Sequence, residues 1–452
     1  MVPRARVRGG APADSLTVAP AAALAFAVVG WLAPAGALPA QDDARDVVVL
    51  NSGRELRGRV LARYGTDGLV LVQNTTRHTV PWANIASIDT VPDRVAEFLA
   101  VRDRLPDNER QQTYLIDWAH LHGIEAMARL QAIDVALRAP DNVTAHTLLG
   151  HRRRGSEWLW QHGDDWVRLS DLERFHADWG HPWELESEHF ALRCNADLRR
   201  SIDTLFDLER LYAYWFEEFG EALQLTEALA PKLPVWVWRD RADFPAWAST
   251  KLPYFRPRTQ TPLEPSRSFL YFADAQAARP AWLFEVATQH LLYRTLADDP
   301  ALWTQKDRLC GWAEVGFGQY LERRFGGPAG HAEVGAWRMP EDEGRVVSNQ
   351  ASYTVANLLH RSARQFYITV ADNTLFEWAA SHLFVAWLLD GGDRELRRAF
   401  VAYLRAALHD GKGDSSSAFD RVLGRPIDGL EAPWRQWIRE QLPSLPVAPR
   451  IG

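Results

Sequence analysis

The chain has 452 residues, long enough for two to four domains at ~100–200 residues each. Its 47% hydrophobic and 24% charged residues are those of a globular protein. A net charge of −7 argues against a general binder of nucleic acid or of anionic membranes.

Arg4, Arg6 and Arg8 precede an apolar stretch from Leu16 to Ala40, and the polar "QDDARD" follows. A basic start, an apolar middle and small residues before a polar segment form the pattern of a secretory signal peptide. It is expected over residues 1–40, with cleavage after Ala37 or Ala40. The chain is then exported, to a periplasmic, outer-envelope or extracellular location. No later segment has ~18 consecutive apolar residues, so no membrane span is expected in the mature chain. Cys194 and Cys310 could pair in such a compartment or stay apart as buried thiols.

Residues 44–92 alternate apolar and polar positions in short runs separated by the turn signals "NSG", "GTDG" and "NTT". Four or five short strands bury a core only by curling, which predicts a small β-barrel resembling the SH3-like barrels of exported bacterial proteins. His78 falls in one of these strands with no second ligand near it and reads as surface. Over 93–150 the period changes to i, i+3, i+4, i+7, that of amphipathic helices. Trp118, Ala119, Gly123 and Ala126, with "APDN" at 139–142, resemble a tetratricopeptide-type hairpin. About one and a half units are present, where stable arrays need ~3, so a TPR-like helical connector is expected. Residues 151–180 form a linker with a β-hairpin whose arms are "WLW" and "WVRL". The one tight basic run, "HRRRG" at 151–155, reads as a solvated loop. Most of the 20 Trp sit in apolar periodic segments and read as core.

From 181 to 446 strands and helices alternate. "ELESEHFALRCN", "LPVWVWRD" and "RSFLYFAD" are strands, with the long helix "DLRRSIDTLFDLERLYAYWFEEFGEAL" after the first and the short helix "RADFPAWAST" after the second. A run of helices completes the segment. A small sheet followed by helices makes the whole chain a multidomain α+β protein.

Two of those helices carry "EVATQHLL" at 285–292 and "WAEVGFGQY" at 312–320. Element order and these segments resemble the peptidase-MA-like family of exported bacterial gluzincin metallopeptidase relatives. There the first helix reads H-E-x-x-H-Q-L-L and the second W-L-x-E-G-x-A-x-Y. The i,i+4 spacing returns two imidazoles to one helix face, where they bind zinc while the Glu activates its water. Here the motif is degenerate. One register puts Glu285, Val286 and Gln289 at the His, Glu and His positions, with Val315 as third ligand. The other puts Phe284 and Thr288 at the ligand positions. Glu314 precedes the family's Glu position by one residue, a turn of ~100°. Trp378 stands where the family has a Tyr.

The resemblance therefore implies a gluzincin-like frame that has lost zinc and peptidase activity: a pseudoenzyme acting as a binding or scaffold protein, with a peptide or envelope protein as partner. No catalytic residue, metal ligand set or cofactor is assigned. The degenerate cleft is expected at Glu285, Gln289, His290, Glu314, Trp378 and His382. Glu285 and Gln289 would hydrogen-bond within it, and His290 would be a core or rim histidine. One alternative is an active zinc peptidase with non-standard ligands drawn from Glu285, His290, Glu314 and His382. Another is a purely structural envelope protein, in which side chains fill this region. No G-x-S-x-G, P-loop or G-x-G-x-x-G pattern offers a different chemistry.

Overall fold

A computed structural model describes residues 46–63, 67–73, 76–105, 108–225, 232–244, 268–296, 311–325, 341–349, 354–359, 374–391, 393–408, 415–424 and 426–442. The expected signal peptide and Cys310 lie outside the described residues. So does most of the expected short helix "RADFPAWAST". Cys194 is a buried free thiol, and burial pushes its pKa up to about 11.

The alternation at the start becomes five strands: β1 (Asp46–Leu50), β2 (Glu55–Ala62), β3 (Gly68–Gln73), β4 (Thr76–Pro81) and β5 (Ile85–Asp89). They form one antiparallel sheet in the order β4-β3-β2-β1-β5. Val48, Val60, Leu69 and Leu71 make its core. β4 and β5 are its two edges, and no ladder joins them among the described residues. His78 is exposed on β4. The Asp46 carboxylate accepts hydrogen bonds from the Val60 and Val91 amides, both 2.8 Å, which ties the sheet to the next helix.

That helix, α1 (Val91–Arg104), starts with a capping box between Thr90 and Asp93. It is followed by α2 (Glu109–Leu121), α3 (Glu125–Arg138) and α4 (Val143–Leu148). α2 and α3 pack as a pair, and α1 and α3 lie against α6 (Leu198–Leu223). One hydrophobic core runs from Val91 to Ile438 and joins connector, linker and C-terminal part. A buried ionic knot crosses the same seam. Asp134 of α3 accepts from Arg102 at 3.2 Å and Arg138 at 3.0 Å, and also from Arg199 of α6.

The linker holds β6 (Arg152–Arg154), β7 (Glu157–His162) and β8 (Asp165–Val167), an antiparallel sheet in that order, and then α5 (Leu169–His176). "HRRRG" is thus an exposed strand rather than a loop. The tight Gly155–Ser156 turn, with Gly155 at φ +64°, brings the arginines into register with β7.

The C-terminal part opens with β9 (Trp183–Glu186), β10 (Phe190–Cys194), the long α6, β11 (Leu233–Trp238) and β12 (Ser268–Tyr271). Their order is β12-β11-β10-β9, with β9 antiparallel and the other neighbours parallel. A parallel neighbour needs a crossover, and α6 supplies one between β10 and β11. There follow α7 (Leu283–Leu296), α8 (Gly311–Phe325), α9 (Glu341–Asn349), α10 (Val355–Leu359), α11 (Thr374–Asp390), α12 (Arg394–Leu408), α13 (Ser415–Leu423) and α14 (Glu431–Gln441). The chain is a mixed α+β protein. α8 is the central helix, packed on α7 and on α11. Two glycines permit this. A β-carbon at Gly318 would lie 2.8 Å from the Glu285 Cγ on α7, and one at Gly316 would lie 2.4 Å from the Ser381 carbonyl oxygen on α11. Two residues along a helix turn ~200°, so the pair serves neighbours on opposite sides.

Candidate functional site

Leu, Ala, Glu, Gln and Arg positions without Gly or Pro favour a helix at α7, and Leu283, Phe284, Val286, Ala287, Leu291 and Leu292 bury it almost all round. Its N-terminus leaves amide donors to be satisfied. Glu322 of α8 does this from across the interface, accepting from the Phe284 amide at 2.7 Å and the Glu285 amide at 3.0 Å.

Glu285 is 7% exposed and Gln289, one turn on, is 6% exposed. Glu285 faces α8 at Gly318. Burial, then the nearby Glu322 and Glu314 carboxylates, push its pKa up to about 8, against a hydrogen bond from Gln319 and the charge of Arg323. Near neutral pH it is therefore predominantly the protonated acid. Glu314 is buried and accepts a 2.8 Å hydrogen bond from the Tyr293 hydroxyl of α7. Sequence spacing turns Glu314 away from the position of a third ligand. In the structure its carboxylate nonetheless reaches α7, as that of Glu322 does, and Val315 is fully buried.

The other candidates lie elsewhere. His290, ~100° round α7 from Gln289, points to the sheet, with Nδ1 2.9 Å from the Ser268 Oγ of β12. His382 on α11 is fully buried, with Nδ1 2.6 Å from Glu343 Oε2 on α9. Glu343 also pairs with Arg323 of α8 at 2.7 Å. Burial works to raise the Glu343 carboxyl, but His382 and Arg323 hold it below its ordinary range. Trp378 is half-buried against the core.

The six candidates thus divide into three local groups: Glu285, Gln289 and Glu314 at the α7–α8 contact, His290 at the sheet, and His382 between α9 and α11. Trp378 adds packing. Sequence reading missed Glu322, Gln319, Tyr293, Arg323, Glu343 and Ser268. Each acts through a partner on another element, so no local spacing marks it. Gln319 lies inside the quoted "WAEVGFGQY" and Ser268 inside the strand "RSFLYFAD", but neither spacing points to its partner.

The chemistry of this set does not fit a gluzincin zinc ion. Such an ion takes deprotonated carboxylates and imidazoles. Here the α7 face offers one carboxyl and a neutral amide in place of two imidazoles, and the third position is an aliphatic valine. Among the described residues no group of three or more His, Cys, Asp or Glu is placed to hold a metal ion. No protein-family model matches the chain, and no curated protein matches it.

Proposed function

We propose that this chain is an exported protein whose C-terminal part retains a gluzincin-like frame without zinc or peptidase chemistry, and that it works by binding or scaffolding. The frame is the sheet β9–β12 followed by α7 and α8, in the element order of the family it resembles. On this reading an SH3-like sheet and a TPR-like connector precede it, and the partner is a peptide or an envelope protein. One observation carries the proposal. The α7 face that would present two imidazoles presents the buried Glu285 and Gln289, and Glu285 packs directly on Gly318. Without imidazoles there is no Lewis acid to lower the pKa of a bound water. The test is metal analysis of the dialysed, purified protein with a chelator-sensitive peptide-hydrolysis assay. Zinc far below one equivalent and no hydrolysis are expected. A full equivalent with chelator-sensitive cleavage establishes the active-peptidase alternative instead.

A second reading, a purely structural envelope protein, is favoured by the burial of Glu285, Gln289, His290, Glu314 and His382, each under a tenth exposed. The two readings part at Trp378→Ala. On the binding reading it weakens capture of a partner while the melting temperature falls only modestly. On the structural reading its whole effect is on melting.

A further inference from the structure

The outward face of the β6–β7–β8 sheet has a composition that neither reading uses. Register places Arg152 opposite Leu159, Arg154 opposite Glu157, and Gln161 opposite Trp166, so these side chains share one face. The other face carries Trp160 and Val167 into the core. Arg152 and Arg154 are exposed, and neither has a carboxylate partner among the described residues. The Arg152 guanidinium lies 4.2 Å over the Trp166 ring, and Trp166 belongs to none of the core clusters. Cation–π attraction holds the guanidinium over the indole, and its planar fork of N–H donors matches the two parallel hydrogen bonds a carboxylate accepts.

From this juxtaposition we propose that the Arg152–Arg154–Trp166 face is a docking surface for an acidic, extended polypeptide segment. Charge complementarity selects the occupant. A chain of net charge −7 repels an anionic bilayer as a whole, whereas a short acidic segment meets only the local cationic face. β6 is also an edge strand, so an extended partner finds backbone groups beside the arginines. Exposed ion pairs are individually weak, so the contact is transient, with a dissociation constant on the order of 0.1–1 mM.

The test is fluorescence anisotropy of the full chain with a short labelled peptide of alternating Glu and Val. Its Gln–Val counterpart serves as control, and sedimentation with phosphatidylcholine–phosphatidylglycerol vesicles runs in parallel. The Glu peptide should bind and weaken with added salt. R152E/R154E should lower its affinity about tenfold or more, W166A should lower it several-fold, and R77E/R110E should leave it unchanged. Equal denaturation midpoints establish that the variants fold, and R152Q/R154Q replaces the charge reversal if that does not. The proposal is overturned by any of four results: no binding up to millimolar protein, equal binding of the Gln peptide, unchanged affinity in R152E/R154E, or binding to vesicles in place of the peptide.

Discussion

Gly318 of α8 and Glu285 of α7 meet so closely that a β-carbon on the glycine would stand 2.8 Å from the glutamate Cγ and 3.0 Å from its carbonyl oxygen. The nearest part of a buried carboxyl is thus held by helix packing as well as by its neighbours' charge. Gly318→Ala should destabilise the protein by ~1–3 kcal/mol through overpacking, offset by up to ~1 kcal/mol of helix propensity. Gly316→Ala should cost more, because its obstacle is the Ser381 carbonyl at 2.4 Å, which no side-chain rotation relieves. Urea denaturation checks both, and two neutral substitutions would remove the argument that these glycines set the α7–α8–α11 spacing.

Glu285 predicts a loss of stability as pH rises from 4.5 to about 8. Its ordinary value of 4.5 is raised to about 8, so the native state keeps a proton that the unfolded chain releases. The sign follows directly: this contribution is fully present below 4.5 and is lost as pH rises through 8, at up to ~1.4 kcal/mol per pH unit. Glu285→Gln mimics the protonated acid. The variant should therefore gain on the wild type steadily from pH 5 to 8 and keep the same stability difference above that. Parallel wild-type and variant curves across this range would show that Glu285 is ionised in the folded protein.

The linker region predicts the opposite slope in acid. His151 and His146 approach Nδ1 to Nδ1 at 2.7 Å, and His146 Nε2 lies 2.9 Å from the Pro140 carbonyl. The assignment that satisfies both has His146 donating to Pro140 and accepting from His151, with both rings neutral. Burial, then His146 and Arg129, push His151 down from 6.5 to about 3. The unfolded chain therefore takes up the proton first, and stability falls as pH drops from 6.5 toward 3. His151→Gln should flatten that limb while leaving the fall due to Glu285 between pH 5 and 8 in place. Acid denaturation of both proteins, followed by circular dichroism, measures it.

Asp134 predicts the strength of the seam between connector and C-terminal part. Burial works to raise its carboxyl, but Arg102, Arg199 and Arg138 hold it below its ordinary range. Asp134→Asn removes the charge and strands partly buried guanidinium groups, so a loss of ~3–5 kcal/mol is expected. Denaturant titration reads it, and a change under ~1 kcal/mol would mean that solvent already screens the knot.

What could be read from sequence depended on whether the cause was local. The alternation from Asp46 to Asp89 predicts strands because each position's burial follows its neighbour's, and five strands form. Barrel closure depends on contacts between β4 and β5, which no local pattern encodes. "RRR" carries no strand signal of its own, and the Gly155–Ser156 turn imposes its pairing with β7. At the candidate site, Glu285 faces Gly318 of α8 while His290 turns to Ser268 of β12. Which face of α8 meets α7 was hidden, because it is decided by the contact of Gly318 with Glu285. Glu322 capping α7 and Glu343 bridging His382 to Arg323 are tertiary facts between segments 20 to 39 residues apart.

The single core from Val91 to Ile438 has a practical corollary. A truncated protein beginning at Trp183 would strip α1 and α3 from α6, leaving an oily wall bare and Arg199 without Asp134. The repeat-like hairpin is thus masonry rather than an accessory. Proteolysis should release the leading five-stranded sheet, which has a core of its own, long before it separates anything downstream.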